Sequence, residues 1–417
     1  MSEPPSVIKT DSLMSARIPS PIPSMVSSDG PEQEQEGFEV KFSISGDASS
    51  VGTGGVGTAP LLQRINRSAS TTVMAAAFSL DYDKPPNQAL VFVKPHAHNA
   101  AVCDLVESSL REHIAGGCRI VLSCTVSGTR IGRKRLIDRH YQSIARYATE
   151  LDVDKLTFDE SKFEGAFQGE TWSKVLADGR ACNAVQALSK LGCGPDELEK
   201  AWRRAEADSR TTKLGPGLYI GLVESPTNDQ TSLYVVNGFY MAMRGKYIGD
   251  DKSIRCYVVE FDERMCPWKD FRSKVIGATD PTKAAEGSLR HTIMKRYKEL
   301  GLDIEPSTGN NAVHASASPL EGLAERCNWL STTPSEDSFG RALLARGIPE
   351  SLLLKWMDDP TITFPPSTVD GSRKTGSLFD DVEDMDSSSC MQRLVQIYDT
   401  ELFSKEGEGA CSCCAVS

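Results

Sequence analysis

The 417-residue sequence predicts an α+β fold. Two stretches, about residues 89–149 and 238–330, each carry strand–helix–strand patterning. A segment with a different pattern, residues 150–237, separates them, and the chain begins and ends in polar stretches. With the interruption set aside, the order is β-α-β followed by β-α-β. That is the order of a ferredoxin-like split βαβ fold, a four-stranded antiparallel sheet with helices on one face. We divide the chain into a Ser/Pro/Gly-rich disordered tail (1–88), a domain over 89–334 with a mainly helical insertion (150–237), a helical extension (335–360) and an acidic, Cys-ended disordered tail (361–417).

Ala89–Lys94 (ALVFVK) is a compact apolar run that reads as the first strand. Val102, Leu105, Val106, Leu110 and Ile114 share one face of a helix over Asn99–Ala115, which Gly116-Gly117 ends. Cys118–Val126 is the second strand, and Ile131–Tyr147 reads as one helix. Within the insertion, Thr171–Leu191 and Pro195–Asp208 look helical, and Leu218–Val223 and Leu233–Val236 look like short strands. Ile254–Phe261 is a strong strand. Trp268–Ile276 and Ala284–Leu300 follow as helices, Asn311–Ser316 as a short strand and Pro319–Trp329 as a helix. Phe339–Met357 reads as one or two amphipathic helices, and Met391–Phe403 has weak helical periodicity.

Hydrophobic residues make up 39% and charged residues 25%, as in a soluble globular chain, while the 7% aromatic share indicates that part of the chain adds little to a core. A net charge of −11 excludes a general nucleic-acid binder, which needs a basic excess, but leaves room for a locally positive pocket for a small anion. No stretch approaches a membrane span, and the N-terminus has no apolar h-region. The expected compartment is therefore cytoplasmic, with most of the twelve cysteines reduced. Gly52-Thr-Gly-Gly-Val-Gly57 lacks the Lys-Ser/Thr of a phosphate loop and reads as linker. His96-Ala-His98 lacks carboxylate or cysteine partners for a metal, and Arg130–Arg135 (RIGRKR) reads as a solvated basic face.

The candidate for chemistry is His314, in Asn310-Asn-Ala-Val-His-Ala-Ser-Ala-Ser-Pro319, where a strand ends and a helix begins. Ser318 suits the N-cap, Pro319 the first helical position, and Glu321 completes a capping box. The helix N-terminus favours negative charge nearby. Glu325, in the second turn, is within reach of the imidazole. It would fix one tautomer and leave the other nitrogen nucleophilic.

These residues resemble the nucleoside diphosphate kinase family. Asn311-Ala-Val-His314-Ala-Ser316-Ala-Ser318 matches its Asn-x-x-His-x-Ser-x-Ser stretch, and Glu325 and Trp329 stand eleven and fifteen residues after the histidine, as in the family. Gly277-Ala-Thr279-Asp-Pro281, Gly287-Ser-Leu-Arg290 and Val93-Lys94-Pro95 match three further blocks in order. The resemblance implies ping-pong transfer of the γ-phosphate of a nucleoside triphosphate to His314 and on to a nucleoside diphosphate. Mg²⁺ would be carried by the nucleotide phosphates rather than by protein side chains. It implies phosphate or nucleotide contacts from Lys94, Thr279, Arg290, Asn311 and Tyr141, and a hydrogen bond from Ser316 near Glu325. The family's second phosphate arginine falls on Ser273, so the adjacent Arg272 is the candidate. Its base-stacking phenylalanine falls where the insertion rejoins, at Phe239 or Tyr240. Lys-Pro-Asp becomes Lys94-Pro95-His96, and Ala317 replaces an acidic residue. A homo-oligomer is expected, with the insertion placed to alter its contacts. The alternative function is a nucleotide-binding scaffold of low activity, or phosphotransfer to protein histidines.

Cys414-Ala-Val-Ser417 fits C-a-a-X with Ser last, which predicts farnesylation of Cys414, and Cys411 and Cys413 are candidates for palmitoylation. One chain anchors only marginally, so acylation supplies the second signal toward a membrane surface. Cys414→Ser is expected to move the protein from the membrane to the soluble fraction of cells; unchanged partition in a fractionation assay overturns the anchor.

Overall fold

The computed structural model describes residues 40–41, 84–113, 118–226, 231–364 and 374–410. The candidate lipidation residues Cys411, Cys413 and Cys414 lie outside them, as does most of the N-terminal tail. A two-residue strand, Val40–Lys41 (β1), precedes Asn87–Val93 (β2), Ala100–His113 (α1) and Arg119–Ser127 (β3). The helix expected over Ile131–Tyr147 is three: Gly128–Arg133 (α2), Leu136–His140 (α3) and Gln142–Thr149 (α4). The first break sits at Arg135, whose φ of 53° is left-handed and cannot continue a helix.

The insertion adds two strands, Ala181–Asn183 and Thr211–Gly215, to the helices and two short strands expected there. It holds Glu160–Ala166 (α5), Trp172–Ala177 (α6), Ala181–Asn183 (β4), Ala184–Leu191 (α7), Pro195–Ala207 (α8), Thr211–Gly215 (β5), Leu218–Glu224 (β6) and Ser232–Val236 (β7). Its four strands form a sheet in the order β4-β7-β6-β5. β4 divides the helix expected over Thr171–Leu191, and it runs parallel to β7, with Ala181, Cys182 and Asn183 all buried. A three-residue strand buried on both faces has no alternation to reveal it. The insertion is fastened to the rest of the protein by Asn237. Its side-chain amide donates to Ile144 O (2.9 Å) and Gly217 O (2.8 Å), while its Oδ1 accepts from Tyr219 N (2.9 Å).

The chain returns through Tyr240–Gly245 (α9), Ser253–Phe261 (β8), Trp268–Asp270 (α10) with a π-helical turn over Phe271–Ile276, Leu289–Lys295 (α11), Val313–Ala315 (β9) and Pro319–Leu330 (α12). The main sheet is antiparallel throughout, in the order β1-β3-β8-β2-β9. The helix expected over Ala284–Leu300 is confined to Leu289–Lys295. β2 is buried at all seven positions because its two faces serve separate cores. Leu90 and Phe92 pack with α3, α4 and the insertion, and Ala89, Val91 and Val93 pack with α1 and α11.

The helical extension is Ser338–Ala345 (α13) and Glu350–Trp356 (α14). The tail expected to be disordered from 361 is instead structured over much of its length: Thr361–Thr363 (β10) pairs with Thr375–Ser377 (β11), then Leu378–Val382 (α15) and Ser387–Ala410 (α16) follow. Leu378, Val382, Cys390, Leu394 and Ile397 are buried against Leu320 and Leu323 of α12. Spaced apolar residues within an acidic segment were enough for a core once a partner helix was present. No described helix is long and apolar enough to cross a membrane.

α12 lies tight on β2. A Cβ on Gly322 would meet Arg326 Nη1 at 2.8 Å and Gln88 O at 3.0 Å. Arg326, 1% exposed, donates from Nε and Nη2 to the two oxygens of fully buried Asp337 at 2.7 and 3.0 Å, and from Nη1 to Gln88 O. A buried pair that loses one partner leaves a bare charge. Asp337→Ala is therefore expected to cost about 3–5 kcal/mol, read as a fall in the urea midpoint. A change below about 1 kcal/mol would show that the pair does not hold α12.

Candidate functional site

His314 sits on β9 directly across from Phe92 of β2, and the two rings stack with centroids 4.6 Å apart. This cross-strand pair fixes the imidazole plane. Nε2 lies 2.6 Å from Glu325 Oε1, and Ser316 Oγ donates to Glu325 Oε2 at 2.6 Å. Ser316 Oγ also accepts Leu90 N–H at 2.9 Å, so the hydroxyl ties the carboxylate to the central strand. An ionised Glu325 accepts from Nε2–H, which leaves Nδ1 with the lone pair; the tautomer is assigned from this network. Ser318 caps α12 by accepting Glu321 N–H at 3.1 Å, the N-cap half of the expected capping box.

A cavity of about 850 Å³ opens beside His314. Of the residues singled out in the sequence, it brings together Lys94, Tyr141, Arg272, Thr279, Arg290, Asn311, His314 and Glu325. Lys94 Nζ, 6% exposed, donates to Asn311 Oδ1 at 2.7 Å, and Asn311 Nδ2 donates to Thr279 O at 3.1 Å. Arg290 is held by backbone oxygens, Nε and Nη2 to Val313 O (3.1 and 2.9 Å) and Nη1 to Gly277 O (2.9 Å). Gly277 supplies that oxygen from φ 91°, a conformation in which a Cβ would lie 2.4 Å from Ser288 Oγ. Only glycine fits there.

Burial lowers the His314 pKa to about 3; Glu321 raises it, while Lys94, Arg290 and Arg272 lower it further. The ring is therefore neutral at pH 7, as a nucleophile requires. Burial, with Lys94, lowers His96 to about 4. Tyr141 is pushed up to about 12, by burial first, and stays a neutral phenol.

Phe239 is a correction. It does not line the cavity but packs in the interior against Trp202 (5.4 Å) and Tyr219 (6.1 Å). Tyr240, the other base-stacking candidate, is fully buried and bonds Asp138 at 2.7 Å. The insertion thus takes up Phe239, while Asp138 of α3 holds the Tyr240 hydroxyl. Arg272 and Ser273 both line the cavity; Ser273, at the family's arginine position, offers only a hydroxyl, which donates to Lys269 O at 2.7 Å.

His140 was missed. It ends α3 beneath β9, with its ring 4.7 Å from His314 and Nδ1 3.5 Å from Glu325 Oε1, and it accepts Trp329 Nε1–H at 3.4 Å. Its closeness arises from packing of α3 on α12; the adjacent Tyr141 was the one sequence clue. Among the described residues, His140, His314 and Glu325 form a group with metal-ligating atoms within 4.8 Å of one another. It is a nitrogen-rich set whose atoms already bond each other. Mg²⁺ prefers oxygen ligands, so this set does not suit it. His98 bonds Ser253 Oγ at 2.7 Å and takes no part.

No family model matches the chain, and no curated protein does. Among solved structures, an NDP kinase from Pyrobaculum aerophilum is similar over 59% of this chain and 96% of its own, at 17% identity and a TM-score of 0.28.

The unfolded chain binds a proton on histidine below about pH 6.5, whereas folded His314 resists one down to about 3. Stability is thus complete above pH 6.5 and lost as pH falls toward 3, by on the order of a few kcal/mol, with His96 contributing in the same direction. In urea titrations at pH 7.5 and 5, His314→Gln should lose less stability on acidification than wild type. An identical drop in both contradicts the assigned neutral imidazole.

Proposed function

We propose that the protein is a nucleoside diphosphate kinase-like phosphotransferase that works through phospho-His314 on a ferredoxin-like domain. The observation that carries this reading is the His314 ring, clamped by Phe92 and by a carboxylate on Nε2, facing a cavity that also holds Lys94 and Arg290. The order β3-β8-β2-β9 supports the domain assignment, since it places the first and third strands of the split βαβ pattern at the centre.

In this reading the Nδ1 lone pair attacks the γ-phosphorus of a nucleoside triphosphate. The bond from that phosphorus to the β–γ bridging oxygen breaks, and the nucleoside diphosphate leaves with the electron pair. A terminal oxygen of a second nucleoside diphosphate then attacks the phosphohistidine and frees Nδ1. Mg²⁺ bound to the nucleotide phosphates would offset charge. Glu325 holds Nε2–H and stabilises the charge that develops on the ring. Lys94 and Arg290 meet the phosphate oxygens, Thr279 offers a hydroxyl at the cavity edge, and Asn311 positions Lys94. Tyr141 borders the nucleotide as a neutral donor.

Incubation with γ-labelled ATP should give acid-labile, base-stable label that is absent in His314→Ala. GDP should discharge it to labelled GTP. Glu325→Gln should slow labelling by roughly 10²-fold. Absence of label on intact wild-type protein refutes the enzyme and favours a nucleotide-binding scaffold; label that GDP does not discharge favours transfer to protein histidines.

A further inference from the structure

We propose that Glu383 and Asp384 are an internal occupant of the anion position at Arg272, so that a ligand phosphate must displace them; this regulation rests on the nucleotide reading above. Arg272 Nη1 lies 2.8 Å from Glu383 Oε1 and 2.6 Å from Asp384 Oδ1. All three residues line the cavity that holds His314. The two carboxylates come from the segment after α15, outside the main sheet and its helices, and they bring two negative charges to one guanidinium, the charge a terminal phosphate would bring.

The segment is built to hold that position. Val382, just before the pair, is fully buried against the α12 core. Asp384 adopts φ 61°, tolerated by aspartate, and its N–H donates to Ala317 O at 3.0 Å, three residues after His314. Just beyond, Asp386 Oδ1 accepts Trp268 N–H at 2.6 Å and Asn87 Nδ2 at 2.7 Å. The backbone is thus fixed on both sides of the acidic pair, at the mouth of the cavity.

The side chains themselves are free to exchange. Arg272, Glu383 and Asp384 are 30%, 43% and 38% exposed, whereas the Arg326–Asp337 pair is 1% and 0% exposed. Partly exposed ion pairs are weak and screened, so an incoming phosphate competes with them on even terms. The acidic strap therefore competes for Arg272 and raises the ligand concentration needed to fill the site.

The test is calorimetric titration of the full chain with ADP. Glu383→Gln/Asp384→Asn should bind about five- to tenfold more tightly than wild type, and adding Arg272→Ala should abolish the gain. Equal or weaker binding by the double variant overturns the proposal, because the acids would then orient Arg272 or be irrelevant to it. Should the double variant fold poorly by thermal denaturation, Glu383→Gln alone carries the same comparison with a smaller gain. Failure of wild type to take label from γ-labelled ATP would remove the kinase reading without altering this binding result, so the two outcomes are separable.

Discussion

A single buried carboxylate organises the site. Glu325 is 4% exposed, and burying such a charge is costly unless its lone pairs are filled. Here Ser316 Oγ fills one oxygen and the His314 Nε2 side of the imidazole the other, with His140 close behind. Ser316 is in turn bonded to Leu90, and Arg326, one residue after Glu325, is locked to Asp337 and Gln88. The carboxylate is therefore positioned by a helix that cannot slide on its strand. The orientation of the imidazole follows from that constraint and from the Phe92 ring beneath it.

The electrostatics of the cavity run against those of the whole chain. The protein carries a net charge of −11, yet Lys94, Arg272 and Arg290 converge near His314. Their combined field and the loss of water keep the histidine unprotonated. A neutral ring beside several cations suits an anionic substrate and a nitrogen nucleophile at once. The acidic residues that balance these cations enter partly from the C-terminal segment, which ties cavity charge to a part of the chain remote in sequence.

That C-terminal segment is an integral layer. α13 to α16 share one core with Leu320 and Leu323 of α12, and Asn87 at the start of β2 accepts Ser387 N–H at 2.8 Å. α12 is thus packed from both sides, by the sheet and by the extension. Leu354, Met357 and Phe379 of the extension line the cavity. A change in the extension therefore bears on the cavity wall as well as on stability.

The local pattern around His314 was legible in the sequence because its determinants are short-range. The cap at Ser318, the proline after it and the eleven-residue spacing from His314 to Glu325 follow from helix geometry, and the main strands follow from compact apolar runs. Long-range packing decided the rest. His140 joins His314 only because α3 meets α12, and Arg272 meets Glu383 and Asp384 only through a segment more than a hundred residues away. The same is true of the order in 374–410: its apolar residues are too sparse to form a core alone, and they do so only against α12. Phe239 was lost from the expected site for the complementary reason, since the insertion offered Trp202 and Tyr219 to bury it. Sequence alone brought out His314 and its carboxylate partner Glu325, because helix and strand periodicity set the distance between them. Tertiary structure decided which charges and rings share the cavity, because burial acts between segments that no sequence spacing relates.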